Sequence, residues 1–219
     1  MVLRKKKPQK ELAEDIAFLI EAADGYRVGR NIDLRKLREV MDRRASDLSD
    51  VFKGGLRKKF EKTADYVINL PAINSEAKKW SAVFLVVRLL LRIALLGFMV
   101  GLLISISGKE WSSWLFYSST AILYVVFVLR WYSLLKLEDF YREEFKKRPG
   151  RDKILRETAN RLIAKLREVI VKHGLEPKKH KLHLFKTDYE GIRILKKPNI
   201  LRDTYVAEVV LDAQGQSEH

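Results

Sequence analysis

The chain has 219 residues, no cysteine and a formal net charge of +15, from 43 Lys/Arg against 28 Asp/Glu. Without cysteine it has no disulfide framework, no thiolate nucleophile and no Cys-ligated zinc or iron–sulfur centre. The charge is segregated: residues 1–79 carry 19 basic and 13 acidic side chains, residues 136–219 carry 20 and 14, and residues 80–135 carry four and one.

Asn and Gln are scarce beside Lys, Arg and Glu, a composition associated with proteins from hot environments. At the N-terminus, Arg4–Lys7 precedes a short apolar stretch, Ile16–Ile20, that Glu21 and Asp24 interrupt. This reads as a basic tail entering an amphipathic helix rather than as a cleaved signal peptide. Leu12, Ile16, Leu19, Ile20 and Ala23 share one stripe and predict a helix over about 10–23, followed by a loop from Asp24 to Asn31. Within that loop, Gly25-Tyr26-Arg27-Val28-Gly29-Arg30 has the glycines of a phosphate cradle. It lacks the Lys-Ser/Thr of a P-loop and follows no strand, so an ordinary loop is expected. Leu34, Leu37, Met41, Ala45, Leu48 and Phe52 extend a second amphipathic helix to Gly54-Gly55. A third is predicted over Leu56–Ile68, with Phe60, Ala64 and Val67 inward and a stop at Leu70-Pro71.

The centre of the chain is apolar. Residues 80–107 and 111–129 are two long hydrophobic runs separated by Gly108-Lys109-Glu110. A bilayer core of about 30 Å takes roughly 20 helical residues, so the two runs predict a transmembrane hairpin. Trp80, Trp131 and Tyr132 fall at one interface, and Trp111 and Trp114 at the other. Counting equally back from the turn brings Arg88 and Arg130 to one depth, with Arg92 a turn deeper. The excess of Lys and Arg on the flanks over the connecting loop predicts both termini on the cytoplasmic side of a cell membrane, in a multi-pass topology.

Gly97 and Gly101, with Ser105 four residues on, form a small-residue stripe. It suits close helix packing, either inside the hairpin or between protomers. The second helix is expected to run on to Lys147, with Glu138–Arg142 and Glu143–Lys147 as i,i+4 pairs, and to end at Pro149-Gly150. An amphipathic helix over 151–173 follows, with Gly174 as its C-terminal residue. The period then becomes two around Leu182 and Leu184, Ile192 and Ile194, and Tyr205 to Leu211, with a turn at 187–191.

The expected architecture is therefore a membrane α-helical hairpin of two transmembrane helices. It carries a cytoplasmic helical N-terminal segment and a small α+β C-terminal module, αβββ, with an antiparallel meander. The expected divisions are 1–79, 80–135, a helical extension over 136–149, the module over 150–212, and a frayed polar tail over 213–219.

Signals for chemistry are sparse. His173, His180 and His183 are too poorly spaced to converge on a metal, and no carboxylate stands at helpful spacing. Asp139, Glu143 and Glu144 read as a solvated helix face. No catalytic constellation, cofactor motif or small-molecule site is expected. Arg88, Arg92 and Arg130 are the candidate contacts for anionic lipid or another anion, weighed against simple anchoring at the interface. The basic clusters Arg57–Lys62, Lys146–Arg151 and Lys178–Lys181 suit anionic headgroups, or a cytoplasmic protein or RNA partner. The leading expectation is a membrane-anchored interaction or scaffold module. The alternative is a subunit of an oligomeric transport or channel assembly, since two helices do not enclose a path alone.

Overall fold

A computed structural model describes residues 6–30, 32–106, 110–199 and 202–211. It is mostly helical. Helices α1 (Lys6–Arg27), α2 (Leu34–Arg43), α3 (Leu56–Ile73), α4 (Ser75–Ser105), α5 (Glu110–Lys147) and α6 (Pro149–His173) precede strands β1 (Leu182–Leu184), β2 (Ile192–Lys196) and β3 (Tyr205–Val209). Arg4, Gly108, Lys109 and the expected tail from Asp212 lie outside the described residues. The chain divides into two compact units, Met1–Ile68 with Glu144–His219, and Asn69–Glu143.

In the first unit, α1 packs chiefly along α6. Ile16, Leu19, Ile20 and Tyr26 on α1 and Leu155, Leu162, Ile163 and Leu166 on α6 are fully buried or nearly so. Phe60 on α3, also fully buried, meets the Tyr26 ring edge-on at 6.4 Å. The N-terminal helical segment and the C-terminal module thus share one core.

Three helix ends depart from expectation. First, α1 runs through Arg27, because Asp24, Tyr26 and Arg27 are all buried on its inner face. Arg30 N donates to the Gly25 carbonyl at 2.9 Å, and Ile32 lies over Gly25, where a Cβ would come within 2.6 Å of Ile32 Cδ1. The Tyr26 hydroxyl donates to the Ile32 carbonyl at 3.1 Å. Second, α2 is capped by Asp33, whose side chain accepts from Arg35 N at 2.8 Å, and stops at Arg43. Residues 44–52 continue as successive turns that still bury Leu48 and Val51. The apolar period survives there and the helix does not: Ser46, Asp47, Ser49 and Asp50 are poor helix formers, and Arg43 and Arg44 are both drawn to Asp15 of α1 (2.8 and 2.7 Å). Third, α3 continues past Pro71 to Ile73. The break falls at extended Asn74, which caps α4 by accepting from Glu76 N and Ala77 N (2.9 and 3.2 Å).

Only Arg148 separates α5 from α6, and Pro149 occupies the first turn of α6 instead of a loop. Gly174 ends α6 in the left-handed region (φ 59°), as its sequence position predicts, with Leu175 N donating to the Ile170 carbonyl at 3.0 Å.

The three-stranded antiparallel sheet has the order β1-β3-β2, so the expected meander is corrected. β2 and β3 pair as neighbours, whereas β1 and β2 both pair with β3 and do not touch. The segment expected to turn at 187–191 turns at Glu190-Gly191, with Gly191 at φ 74°, and is tied to the helices before it. Asp188 pairs with Arg27, the Tyr189 hydroxyl donates to Asp24, and Glu190 N donates to Asn160 on α6 (3.2 Å). Those ties carry the chain across the sheet end before β2 begins.

The second unit is the α4–α5 hairpin. Both helices are long and apolar enough to cross a membrane, and in the most apolar stretch of each 11% is buried. The buried and half-buried positions of α4 recur in alternating steps of four and three, through Trp80, Phe84, Val87, Leu91, Ala94, Phe98, Gly101 and Ser105. Those of α5 do the same through Ser119, Leu123, Val126, Arg130, Ser133 and Leu137. This is the seam of a left-handed antiparallel helix pair. Ring contacts fix its register: Phe98 meets Phe116 at 5.5 Å, and Trp80 meets Tyr132 edge-on at 5.8 Å.

Candidate functional site

The register places the three candidate arginines. With Trp80 opposite Tyr132 and Phe98 opposite Phe116, Arg130 is level with about Val83, Arg88 with about Val125 and Arg92 with about Ala121. Arg88 therefore lies about five residues, or about 7–8 Å, from the level of Arg130, and Arg92 about 14 Å. The equal depth expected for Arg88 and Arg130 is corrected. The ring contacts set the register, not an equal count from the turn.

Arg88 and Arg92 are exposed on the outer face of α4, while Arg130 is half-buried on the α5 seam between buried Val126 and Ser133. Among the described residues none of the three guanidinium groups has an ion pair. The backbone carbonyl of Arg130 accepts from Ser133 Oγ at 2.8 Å.

Around Arg130 the hairpin gathers a collar that the sequence reading did not assemble. Lys79 Nζ stands 5.7 Å from the Trp80 ring centre, and Lys136 Nζ stands 5.6 Å from that of Tyr132. Lys78 is exposed beside them, as is Trp131. Residues 77–83 and 130–136 contain no Asp or Glu. The clue available in the sequence was the repeated pairing of Lys/Arg with Trp/Tyr at both helix ends. Which of these share a level depended on the register.

The small-residue stripe is divided. Gly101 is buried and Ser105 half-buried on the seam, whereas Gly97 is exposed, and a Cβ there would meet nothing within 4 Å.

The first unit holds a polar cluster made by residues far apart in the chain. Arg27, with a side chain 5% exposed, donates through Nε and Nη2 to Asp152 (2.7 and 3.2 Å) and through Nη1 and Nη2 to Asp188 (2.6 and 2.8 Å). Its guanidinium lies 5.3 Å from the Tyr189 ring centre. Asp24, fully buried, accepts from the Tyr189 hydroxyl (2.7 Å), from Lys186 N (3.2 Å) and from Phe185 N. Glu21 accepts from His183 N at 2.8 Å, so α1 carboxylates cover the outer edge of β1.

Burial pushes the Asp24 carboxyl up, against its three donors. The Arg27 hydrogen bonds hold Asp188 below the usual carboxylate range. Burial disfavours the charge on Arg27, but its two carboxylates outweigh this and hold it protonated. Every member has a partner inside the protein, so the cluster fastens α1, α6 and the β1–β2 crossover.

Glu144, expected on a solvated face, has a side chain only 12% exposed. It accepts from the Tyr66 hydroxyl and from Arg148 Nε (2.9 Å), and the Arg151 guanidinium lies 3.5 Å over the Tyr66 ring centre. The region presents Glu144–Arg148 at i,i+4 and Asp139–Arg142 at i,i+3.

Among the described residues, no three His, Asp or Glu side chains are grouped to hold a metal. His180 is buried and His183 exposed. Burial pulls the His180 imidazole below its ordinary value, with Glu14 opposing. A base whose folded pKa is depressed contributes stability that is complete above about pH 6.5 and is lost as pH falls below it. Protection of α6 amides from exchange is expected to weaken from pH 7 to pH 5 more in the wild type than in His180→Leu. Equal slopes in the two proteins would refute this.

The chain matches no protein-family model, no curated protein and no solved structure.

Proposed function

We propose that the protein is a membrane-anchored interaction module. The α4–α5 hairpin spans a bilayer with both termini on the cytoplasmic side, and the helical and sheet unit offers basic faces to an anionic or protein partner. One observation carries the reading: the apolar surface of the hairpin is bare. Leu85, Leu96, Leu103, Trp114 and Tyr124 are each more than 60% exposed. A water-soluble monomer rarely bares more than a few hundred Å² of contiguous apolar surface, and lipid is the medium that satisfies such a hairpin.

Orientation rests on Lys/Arg asymmetry. Lys78, Lys79, Arg130 and Lys136 flank the spans at one end, while Lys109 is the one basic residue of the connection. The partner-binding half rests on charge. Lys58, Lys59 and Lys62 stand exposed on α3 with no ion pair among the described residues, and Lys178 and Lys181 are exposed between α6 and β1.

Membrane pellets washed at alkaline pH test the anchor. The chain is expected to stay in the pellet, with protease cutting α1–α3 and α6 only in inside-out vesicles. Release by the wash sinks the membrane reading, and cleavage in right-side-out vesicles reverses the topology.

A second reading, a subunit of an oligomeric transport assembly, has support in exposed Gly97, an open close-packing position on a lipid-facing helix. Native mass spectrometry after gentle extraction separates the two. A ring of fixed copy number carrying only lipid favours the assembly, and a monomer or dimer carrying protein or RNA favours the anchored module.

A further inference from the structure

We infer that the collar around Arg130 is a binding site for the phosphate of an anionic phospholipid in the cytoplasmic leaflet; this rests on the membrane reading above. Lys78, Lys79, Arg130 and Lys136 all fall between the levels of Ala77 and Val83, a band of about 9 Å at 1.5 Å per residue. That is close to the headgroup layer on one side of a bilayer, about 5–8 Å of the roughly 40–45 Å total thickness. Trp80, Trp131 and Tyr132 occupy the same band, and aromatic rings of this amphipathic kind settle at that layer. Four cations thus stand at phosphate depth with no acidic side chain in the same stretches of either helix.

Arg130 is distinguished from the other three by its place on the seam. Its side chain is half-buried between two buried neighbours, has no anion among the described residues, and cannot be diluted into bulk water as Lys78 can. A guanidinium so held matches an acceptor with two oxygens in one plane, and a lipid phosphate supplies them in bidentate geometry. Lys79 and Lys136, each beside a ring of the edge-on Trp80–Tyr132 pair, bring one cation from each helix into the same band. Arg88 and Arg92 do not belong to this site. They point outward and lie about 7–8 Å and about 14 Å deeper, so they must reach back up to the phosphate plane individually. Arg130, and not the more deeply placed Arg92, is therefore the specific contact.

The test uses the whole chain carrying Trp111→Phe and Trp114→Phe, so that only the collar tryptophans report. It is reconstituted into bilayers of phosphatidylcholine and phosphatidylglycerol in equal parts, with one or the other lipid brominated. Quenching by brominated phosphatidylglycerol is expected to exceed that by brominated phosphatidylcholine severalfold. Arg130→Gln is expected to reduce this preference about fivefold, the value of one cation near an anionic surface. Arg130→Lys keeps most of it, and Arg92→Gln leaves it unchanged.

Equal quenching by the two lipids in the parent overturns the site while leaving the membrane reading intact. A preference that falls as much for Lys172→Gln, remote on α6, as for Arg130→Gln reduces the effect to net charge and also overturns it. Absence of quenching by either lipid removes the membrane reading itself.

Discussion

Asp24→Ala is expected to remove about 3–5 kcal/mol from the stability of the unit built on α1, α6 and the sheet. The carboxylate is fully buried and accepts from two backbone N–H groups and the Tyr189 hydroxyl. Truncation leaves all three donors without an acceptor, at about 1–3 kcal/mol each, partly offset wherever the crossover relaxes toward water. It also loosens Tyr189, whose ring lies against the Arg27 guanidinium. Against a total of about 5–15 kcal/mol, such a loss removes a large share of the unit's stability. Asp24→Asn keeps one acceptor oxygen and turns an amide NH₂ toward the remaining donors, so its cost is intermediate. Urea titration followed by exchange protection of α6 amides, with the chain in mild detergent, measures both. A cost below about 1 kcal/mol for the alanine variant means that the crossover is not held from Asp24.

The second large effect distinguishes lipid from water as the solvent of the hairpin. Leu96 and Ile122 are 68% and 56% exposed, one on each helix, well inside the apolar runs. In water, Leu96→Lys with Ile122→Lys changes stability by little, within about 0.5 kcal/mol per surface site. In a bilayer each lysine near the helix centre costs about 3–4 kcal/mol relative to the aliphatic residue it replaces. The double variant is therefore expected to lose insertion almost completely, leaving the alkaline-washed membrane pellet for aggregates or degradation. An unchanged pellet fraction, or a soluble monomer with better yield than the parent, contradicts the spanning hairpin. The same pair of results also bears on the lipid site, which requires the collar to sit at headgroup depth.

The arrangement places unlike demands on the two units. The hairpin seam joins large Phe84, Leu91 and Phe98 with small Ala94 and Gly101, a close packing of the kind that the proposed bilayer location would demand. The other unit relies on apolar burial and is closed by ionic ties. Arg27 binds two aspartates in bidentate geometry, and neither is near it in sequence. Removing one partner of such a buried group costs more than the intact pair contributes, so the cluster acts mainly to define which segments come together.

The same contrast divides what was legible in the sequence from what was not. The two apolar runs, the amphipathic stripe of α6 with Gly174 at its end, and the three short strands could all be read directly. Each is specified by residues within one segment: length, a period of 3.6 or two, or a glycine where the chain must turn left-handed. Element ends were read less well. At Arg27, Arg43 and Ile73 the local signals were overridden, by burial of Asp24 and Arg27 under the sheet connection, by Asp15 drawing Arg43 and Arg44, and by Asn74 capping the next helix.

Strand order was beyond the sequence altogether. An alternating pattern states which face of a strand is buried but not which strand lies in the centre, and that depended on Asp188 and Tyr189 being held by α1, across 161 and 165 residues. The candidate site follows the same rule. Composition determined by itself that Arg88, Arg92 and Arg130 border a hydrocarbon-like segment and that the chain is basic on both sides of it. Only the ring-to-ring register of α4 and α5 decided that Arg130 falls in one band of about 9 Å with Trp80, Tyr132, Lys79 and Lys136, while Arg88 and Arg92 lie further toward the connection. Propensity and period act over one or two turns, whereas the depth of a side chain on one helix relative to another is set by how large and small residues interlock along the whole seam.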